Sequence, residues 1–146
     1  MKKFYLISFI FILVDRVLKI LVQNFLTSKA LVIIKNFFYL VYAKNEGAAF
    51  SILEGGKFFF IIFATMALIY IYYYVRKNNV NNIGYAMLFS GIIGNLIDRI
   101  LYGFVIDYVG IYIFNYAFPI FNFADAIIII GAIFILLGSD KNEIKN

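Results

Sequence analysis

The chain has 146 residues, 64% of them hydrophobic, a mean hydropathy of +0.93 and a formal net charge of +5. That composition excludes an ordinary soluble domain, whose apolar share lies nearer about 45–50%, and makes a bilayer the solvent. Cysteine and histidine are both absent, which excludes disulfides, thiol or Ser–His nucleophiles and the common transition-metal sites. Hydrolytic chemistry is then left to carboxylates or to a Ser–Lys pair, and no metal or other cofactor is expected. The modest basic excess forms no stripe of the kind that binds nucleic acid, so no nucleic-acid partner is expected.

Met1-Lys2-Lys3 and the apolar run after it have the outline of a secretory signal. The run meets Asp15 and Arg16, however, and no small-residue cleavage site follows. It reads as a retained membrane helix over residues 4–23, close to the ~20 residues that span a bilayer. Asp15 and Lys19 stand four apart on one helix face and pair there as glue within a bundle, with Arg16 beside them.

Residues 24–56 are less hydrophobic. Residues 31–34 and 37–42 read as two short strands outside the bilayer core, split by Lys35-Asn36. A Gly/Ala-rich loop and the Glu54-Gly55-Gly56 turn follow. A second span, residues 58–75, carries no charge; its Tyr70, Tyr72, Tyr73 and Tyr74 form an interfacial belt closed by Arg76 and Lys77.

After the polar loop 78–82, a third span covers residues 83–102, with Asn95, Asp98 and Arg99 near its far end. The connector 103–118 has Asp107 as its only charge. A fourth span, residues 119–138, opens on Pro119, a residue suited to a first helical turn. The chain thus reads as one membrane-embedded domain over 1–146. The fold class is all-α integral membrane: four transmembrane helices with a small extramembrane β-element between helices 1 and 2.

Four spans put both termini on one side. Lys2, Lys3, Arg76, Lys77, Lys141 and Lys145 lie there, against Lys29, Lys35, Lys44 and Lys57 opposite. The positive-inside bias then places both termini in the cytoplasm and Asp107 and Asp125 near the outer face.

Ionisable groups beside such apolar runs are costly and call for a function or a partner. Asp107 follows the third span and Asp125 sits about two turns into the fourth, so both carboxylates reach a similar depth between neighbouring helices. Two close acids do not both ionise easily, and the pair holds a shared proton. Such a pair takes a proton from water with one member and supplies one to a leaving amine with the other. The plainer alternative has each Asp capping a helix or pairing with a base; two acids without a Lys or Arg of their own nearby weaken it.

Asn95 and Arg99, four apart, project together. Two roles are open to Arg99: binding a carbonyl or anionic head group near the acids, or a structural ion pair with Asp98. Asn122 shares a face with Asp125 and either orients the acids or ties two helices together. The Ser–Lys alternative, Ser51 with Lys57, puts its serine in a loop and its lysine at the membrane interface, and is set aside.

Five blocks run in order along nearly the whole chain: Asp15-x-x-x-Lys19, Asn45-x-Gly47-Ala48-Ala49-Phe50-Ser51, Gly94-Asn95-x-x-Asp98-Arg99, Gly103-x-Val105-x-Asp107-Tyr108, and Phe118-Pro119-x-Phe121-Asn122-x-Ala124-Asp125. In them the chain resembles the lipoprotein signal peptidases, the signal peptidase II family of bacterial membrane aspartyl proteases. The resemblance implies that Asp107 and Asp125 form a catalytic dyad. It implies that Asp15, Lys19, Asn45, Gly47, Asn95, Arg99 and Asn122 support the site or bind substrate.

The implied activity is an endopeptidase that removes the signal peptide of a prolipoprotein just before a diacylglyceryl-modified Cys. The strands would form a cradle and residues 50–56 a lid. Tyr108, Arg16 and Ala126 depart from the Phe, neutral residue and Ser common at those positions. The expected partners are the lipid-modified prolipoprotein and membrane lipid, with the chain a monomer in the bacterial cytoplasmic membrane.

The rival from another class is a small four-helix proton-coupled transporter whose Asp residues relay protons. It leaves the polar 24–56 insertion and the clustering of both acids at the outer edge unexplained. The GxGD motif of presenilin-like proteases is missing before Asp107, and a purely structural subunit would have a charge-free fourth span.

Overall fold

Helix α1 (Lys2–Phe25) is followed by strands β1 (Leu31–Ile34) and β2 (Phe38–Asn45), then by helices α2 (Lys57–Lys77) and α3 (Ile83–Leu101). Strands β3 (Val105–Ile113) and β4 (Tyr116–Ala117) and helix α4 (Phe123–Glu143) complete the chain. The structure, a computed structural model, describes residues 1–47, 56–80, 82–114 and 116–143. The expected lid over 50–56, except Gly56, the Ala48–Phe50 part of the second motif block and Ser51 lie outside the described residues.

α3 is the central helix, packed against α1, α2 and α4. Its sequence suits that place, because its buried positions include Gly84, Ala86, Ser90, Gly91 and Gly94. Small residues let helix backbones approach closely where hydrocarbon supplies no hydrophobic drive between helices. A methyl group at position 91 would stand 2.6 Å from the Ala124 carbonyl oxygen of α4, and one at 94 would stand 2.6 Å from Asp15 Oδ2 of α1.

α2 differs from α3: it buries only Ile71 and Val75 and turns Phe58, Ile62, Phe63, Met66 and Ile69 outward. Such apolar exterior matches a hydrocarbon surround. Among the described residues, α2 and α3 are the two helices long and apolar enough to cross a membrane by length and composition, and residues 123–138 of α4 form a shorter apolar run. α1 buries one stripe, with Phe4, Ser8, Asp15 and Lys19 toward α3 and Val22 packed on Ile106 and Tyr108 of β3.

The strands form one antiparallel sheet in the order β1-β2-β3-β4. The sequence reading placed a β-element between the first two helices alone, and here the structure corrects it. The connector 103–118 supplies half the sheet. Val105-Ile106 and Val109 give it the β-branched content of a strand, and Val105, Ile106, Asp107 and Tyr108 are buried on both faces. β2 is also longer than the expected 37–42 strand, reaching Asn45.

A second correction concerns α4. It starts at Phe123, not near Pro119, because the preceding backbone is already committed to the sheet. Phe121 donates its N–H to the Val109 carbonyl at 3.1 Å and accepts from the Val109 N–H at 2.7 Å. Asn122 then caps the helix: its Oδ1 accepts the Asp125 N–H at 2.9 Å while Asp125 Oδ2 accepts the Asn122 N–H at 3.1 Å. This is a reciprocal capping box. Asp125 therefore sits in the first turn of α4 rather than two turns in.

Candidate active site

Two elements deliver the two acids. β3 carries Asp107, paired in register with Ala43 of β2, so Asn45 lies diagonally on the same sheet face. Asn45 donates to Asp107 Oδ2 at 2.8 Å, and its own Oδ1 accepts the Gly47 N–H at 3.1 Å. The cap of α4 carries Asp125. β3 and α4 are tied together by the Phe121–Val109 bridge and by the Phe123 N–H, which donates to the Tyr108 hydroxyl at 3.2 Å.

Asn122 joins the acids. Its amide donates to Asp107 Oδ1 at 2.7 Å and to Asn95 Oδ1 at 3.2 Å, while its carbonyl is occupied by the Asp125 N–H. Asn95, from α3, donates to Asp125 Oδ1 at 2.7 Å and accepts from the Lys19 ammonium of α1 at 3.1 Å. Each of the three asparagine carbonyls is thus held by a donor, a backbone N–H or an ammonium that has no acceptor capacity. Each amide NH2 is thereby turned onto a carboxylate.

Asp107 is 2% exposed. Burial, and next the neighbouring Asp125 carboxylate, push Asp107 up to about 7, against the lowering influence of the Asn45 and Asn122 amides and of Lys19. At neutral pH one proton therefore has a place to reside at this pair.

Behind the acids lies a buried charge cluster. Asp98 is its hub: it meets Arg16 at 2.6 Å and Lys19 at 2.8 Å, and it accepts the Ile106 N–H at 3.2 Å where β3 begins. Lys19 also pairs with Asp15 at 3.0 Å, as expected from their spacing, and Arg16 meets Asp15 at 3.2 Å. Asp98 is thus partnered from α1, and the alternative of an Asp98–Arg99 pair is not what forms. Arg99 points the other way. Its Nη2 donates to the Gly47 carbonyl at 3.2 Å, and its guanidinium lies 4.9 Å from the Phe60 ring centroid.

Asp107 and Asp125 open together, with Asn45, Asn95 and Arg99, onto a cavity of about 570 Å³. Its other walls are apolar, from Phe118 to Phe121 before α4 and Ile128 to Ile130 within it. A separate hollow of about 470 Å³ at the β1–β2 edge has no acid in its lining. The sequence reading brought together Asp15, Lys19, Asn45, Gly47, Asn95, Arg99, Asn122 and both acids, and the structure joins them in this one network. It missed Arg16 and Asp98 as members. Asp98 had a signal: three residues after Asn95, it shares that residue's side of the helix.

Residues 7–139 match the family described as Signal peptidase (SPase) II. The chain belongs to the signal peptidase II family. It is 38% identical over 137 residues to a lipoprotein signal peptidase of Halothermothrix orenii, covering 91% of this chain and 92% of that protein. It is 36% identical over 155 aligned residues to one of Staphylococcus epidermidis, covering 99% and 96%.

A solved structure described as a bacterial membrane enzyme superposes with a TM-score of 0.87 at 33% identity, covering 98% of this chain and 90% of that one. A second of the same description gives 0.83 at 34% identity, covering 94% and 92%. As a signal peptidase II, the chain is a peptidase of a bacterial membrane. Arg16 has a physical role: it gives buried Asp98 a second cationic partner.

Proposed function

We propose that this chain removes the signal peptide from lipid-modified prolipoproteins, cutting just before the diacylglyceryl-modified Cys, with Asp107 and Asp125 as the dyad that activates water. One observation carries the reading: two acids from different elements, each accepting two N–H donors, open onto one largely apolar cavity. Family membership and the relatives' names support the substrate.

The pair holds one proton, and burial favours Asp107 as its carrier. Asp125 takes a proton from water, whose oxygen bonds to the scissile carbonyl carbon while Asp107 protonates the carbonyl oxygen. On collapse the C–N bond breaks, Asp125 passes its proton to the leaving amine, and Asp107 recovers its own. Asn45, Asn95 and Asn122 orient the carboxylates; Asp15 and Lys19 hold Asn95 in place. Arg99, tied to Gly47, offers donors to a substrate carbonyl.

The domain is a single unit of four spans, a monomer in the cytoplasmic membrane in contact with lipid, with both termini cytoplasmic and the acids near the outer face. The outward apolar surface of α2 and the basic residues at the ends of α1 and α2 support this placement. The test is incubation of purified protein with matched lipidated and unlipidated precursor peptides. Cleavage of the lipidated peptide alone, before its Cys, is the expected result; equal cleavage of both, or of neither, overturns the proposal.

A further inference from the structure

A second, narrower cleft of about 260 Å³ lies between α2 and α3 and is closed on one side by Ile128 of α4. Its α2 wall is Phe60, Phe63, Ala64 and Ala67, one helical stripe, and its α3 wall is Ile92, Asn95 and Arg99, another. The two alanines make the space, since larger side chains on that stripe would fill it. α2 packs against α3 but not extensively against α4, so the cleft faces sideways into the bilayer.

Asn95, Arg99 and Ile128 line this cleft and the cavity of the two acids alike. Two apolar lobes therefore diverge from one polar junction, where Asn95 gives its amide to Asp125 and Arg99 stacks on Phe60.

We propose that the cleft between α2 and α3 is an acyl-chain site that holds a hydrocarbon tail of the lipidated Cys, while the larger lobe takes the peptide. This rests on the function proposed above. A lipidated precursor carries two apolar arms that part close to the scissile bond, the peptide and the acyl chains, and a two-lobed site has a place for each. The narrow lobe suits the slender arm, because apart from the Asn95 and Arg99 end its lining is side-chain hydrocarbon. The larger lobe is bordered by the extended backbone of 118–121 and by β3, a setting for an extended peptide. At the junction, the donors of Arg99 lie where the ester carbonyls at the head of a diacylglyceryl group would come.

The test uses full-length protein and a series of precursor peptides whose S-diacylglyceryl chains differ in length. The parent is expected to prefer long chains through KM. Ala67→Phe, and separately Ala64→Leu, should cut that preference roughly tenfold, the effect of losing about two buried methylenes. Ile69→Phe, outward on the same helix, should leave it unchanged. A diazirine at the tip of the acyl chain should cross-link to α2 near Phe63 and Ala67 in the parent, a readout independent of turnover and of how the variants fold.

Unaltered chain-length preference in both filled variants, or cross-links confined to 118–121 and α4, overturns the acyl site. Failure of the parent to cleave any lipidated peptide would instead overturn the function on which it rests.

Discussion

Lys19 reaches Asp125 through Asn95: ammonium to Oδ1 at 3.1 Å, then amide to carboxylate at 2.7 Å. Without that ammonium the Asn95 carbonyl keeps only the Asn122 amide, at 3.2 Å, and its own amide is held less firmly on the acid. Removing Lys19 alone would leave two buried acids, Asp15 and Asp98, sharing Arg16 as their cation, at a cost of up to about 3–5 kcal/mol, so the informative change is the balanced pair Asp15→Asn with Lys19→Met. It should lower kcat roughly 10–100-fold by misplacing Asn95, and add no further loss in an Asn95→Ala background. Losses that simply add would show that Lys19 acts elsewhere.

Asp107 gives a second residue-scale expectation. Its carboxyl is raised to about 7 when folded, by burial first, against about 3.9 when unfolded. From pH 4 to 7 the folded state keeps a proton that the unfolded state has lost, so the parent loses stability as pH rises and bears the full cost above 7. Asp107→Asn carries no such cost. Its gain in thermal stability over the parent in detergent should be larger at pH 8 than at pH 5, by roughly 1–3 kcal/mol; an equal gain at both would show an unperturbed acid. Asn95 and Asn122 were readable from the sequence as neighbours of acids, and Asn45 only through the family resemblance, but which way each amide points was not. Asn45 and Asn122 are set by backbone N–H groups two and three residues on, whereas Asn95 depends on Asn122 and Lys19, 27 and 76 residues away.

At the scale of elements, the spacing of α3 from α4 sets where Asp125 stands. Gly91 faces the Ala124 carbonyl, next to Asp125, and Gly91→Ala would press a methyl group into it. The expected outcome is a loss of about 1–3 kcal/mol in stability together with a fall in kcat, read by thermal melting and by peptide cleavage. A melt shift with full activity would detach the helix spacing from the site.

The helices were legible because long apolar runs between charged loops leave few alternatives. The start of α4 was misread because Pro119 is a good first-turn residue and competes with Asn122-x-x-Asp125. That spacing is itself a capping signal, and sheet pairing at Phe121 decided the contest. Strands β3 and β4 went unread because Val105–Ile113 is hydrophobic nearly throughout. It lacks the alternation that marks a half-exposed strand, being buried on both sides at its start.

For the whole molecule, the proposed topology takes its direction from the basic residues. Lys35→Cys, at an exposed position in the β1–β2 turn, should react with an impermeant thiol reagent in intact cells and Lys2→Cys should not; the native chain has no cysteine to interfere. The reverse pattern would invert the bundle and put the acids on the cytoplasmic side. The central claim is that the assembled bundle exists to make Asp107 and Asp125 act as one unit. The most direct measurement is cleavage of a lipidated precursor by Asp107→Asn, Asp125→Asn and the double variant, each first shown to be inserted and to melt cooperatively. Asn keeps the size of Asp and one of its two acceptor oxygens but neither takes nor gives the proton, so each single variant should be inactive and the double no worse than either. Near-normal turnover in either folded single variant would contradict the dyad.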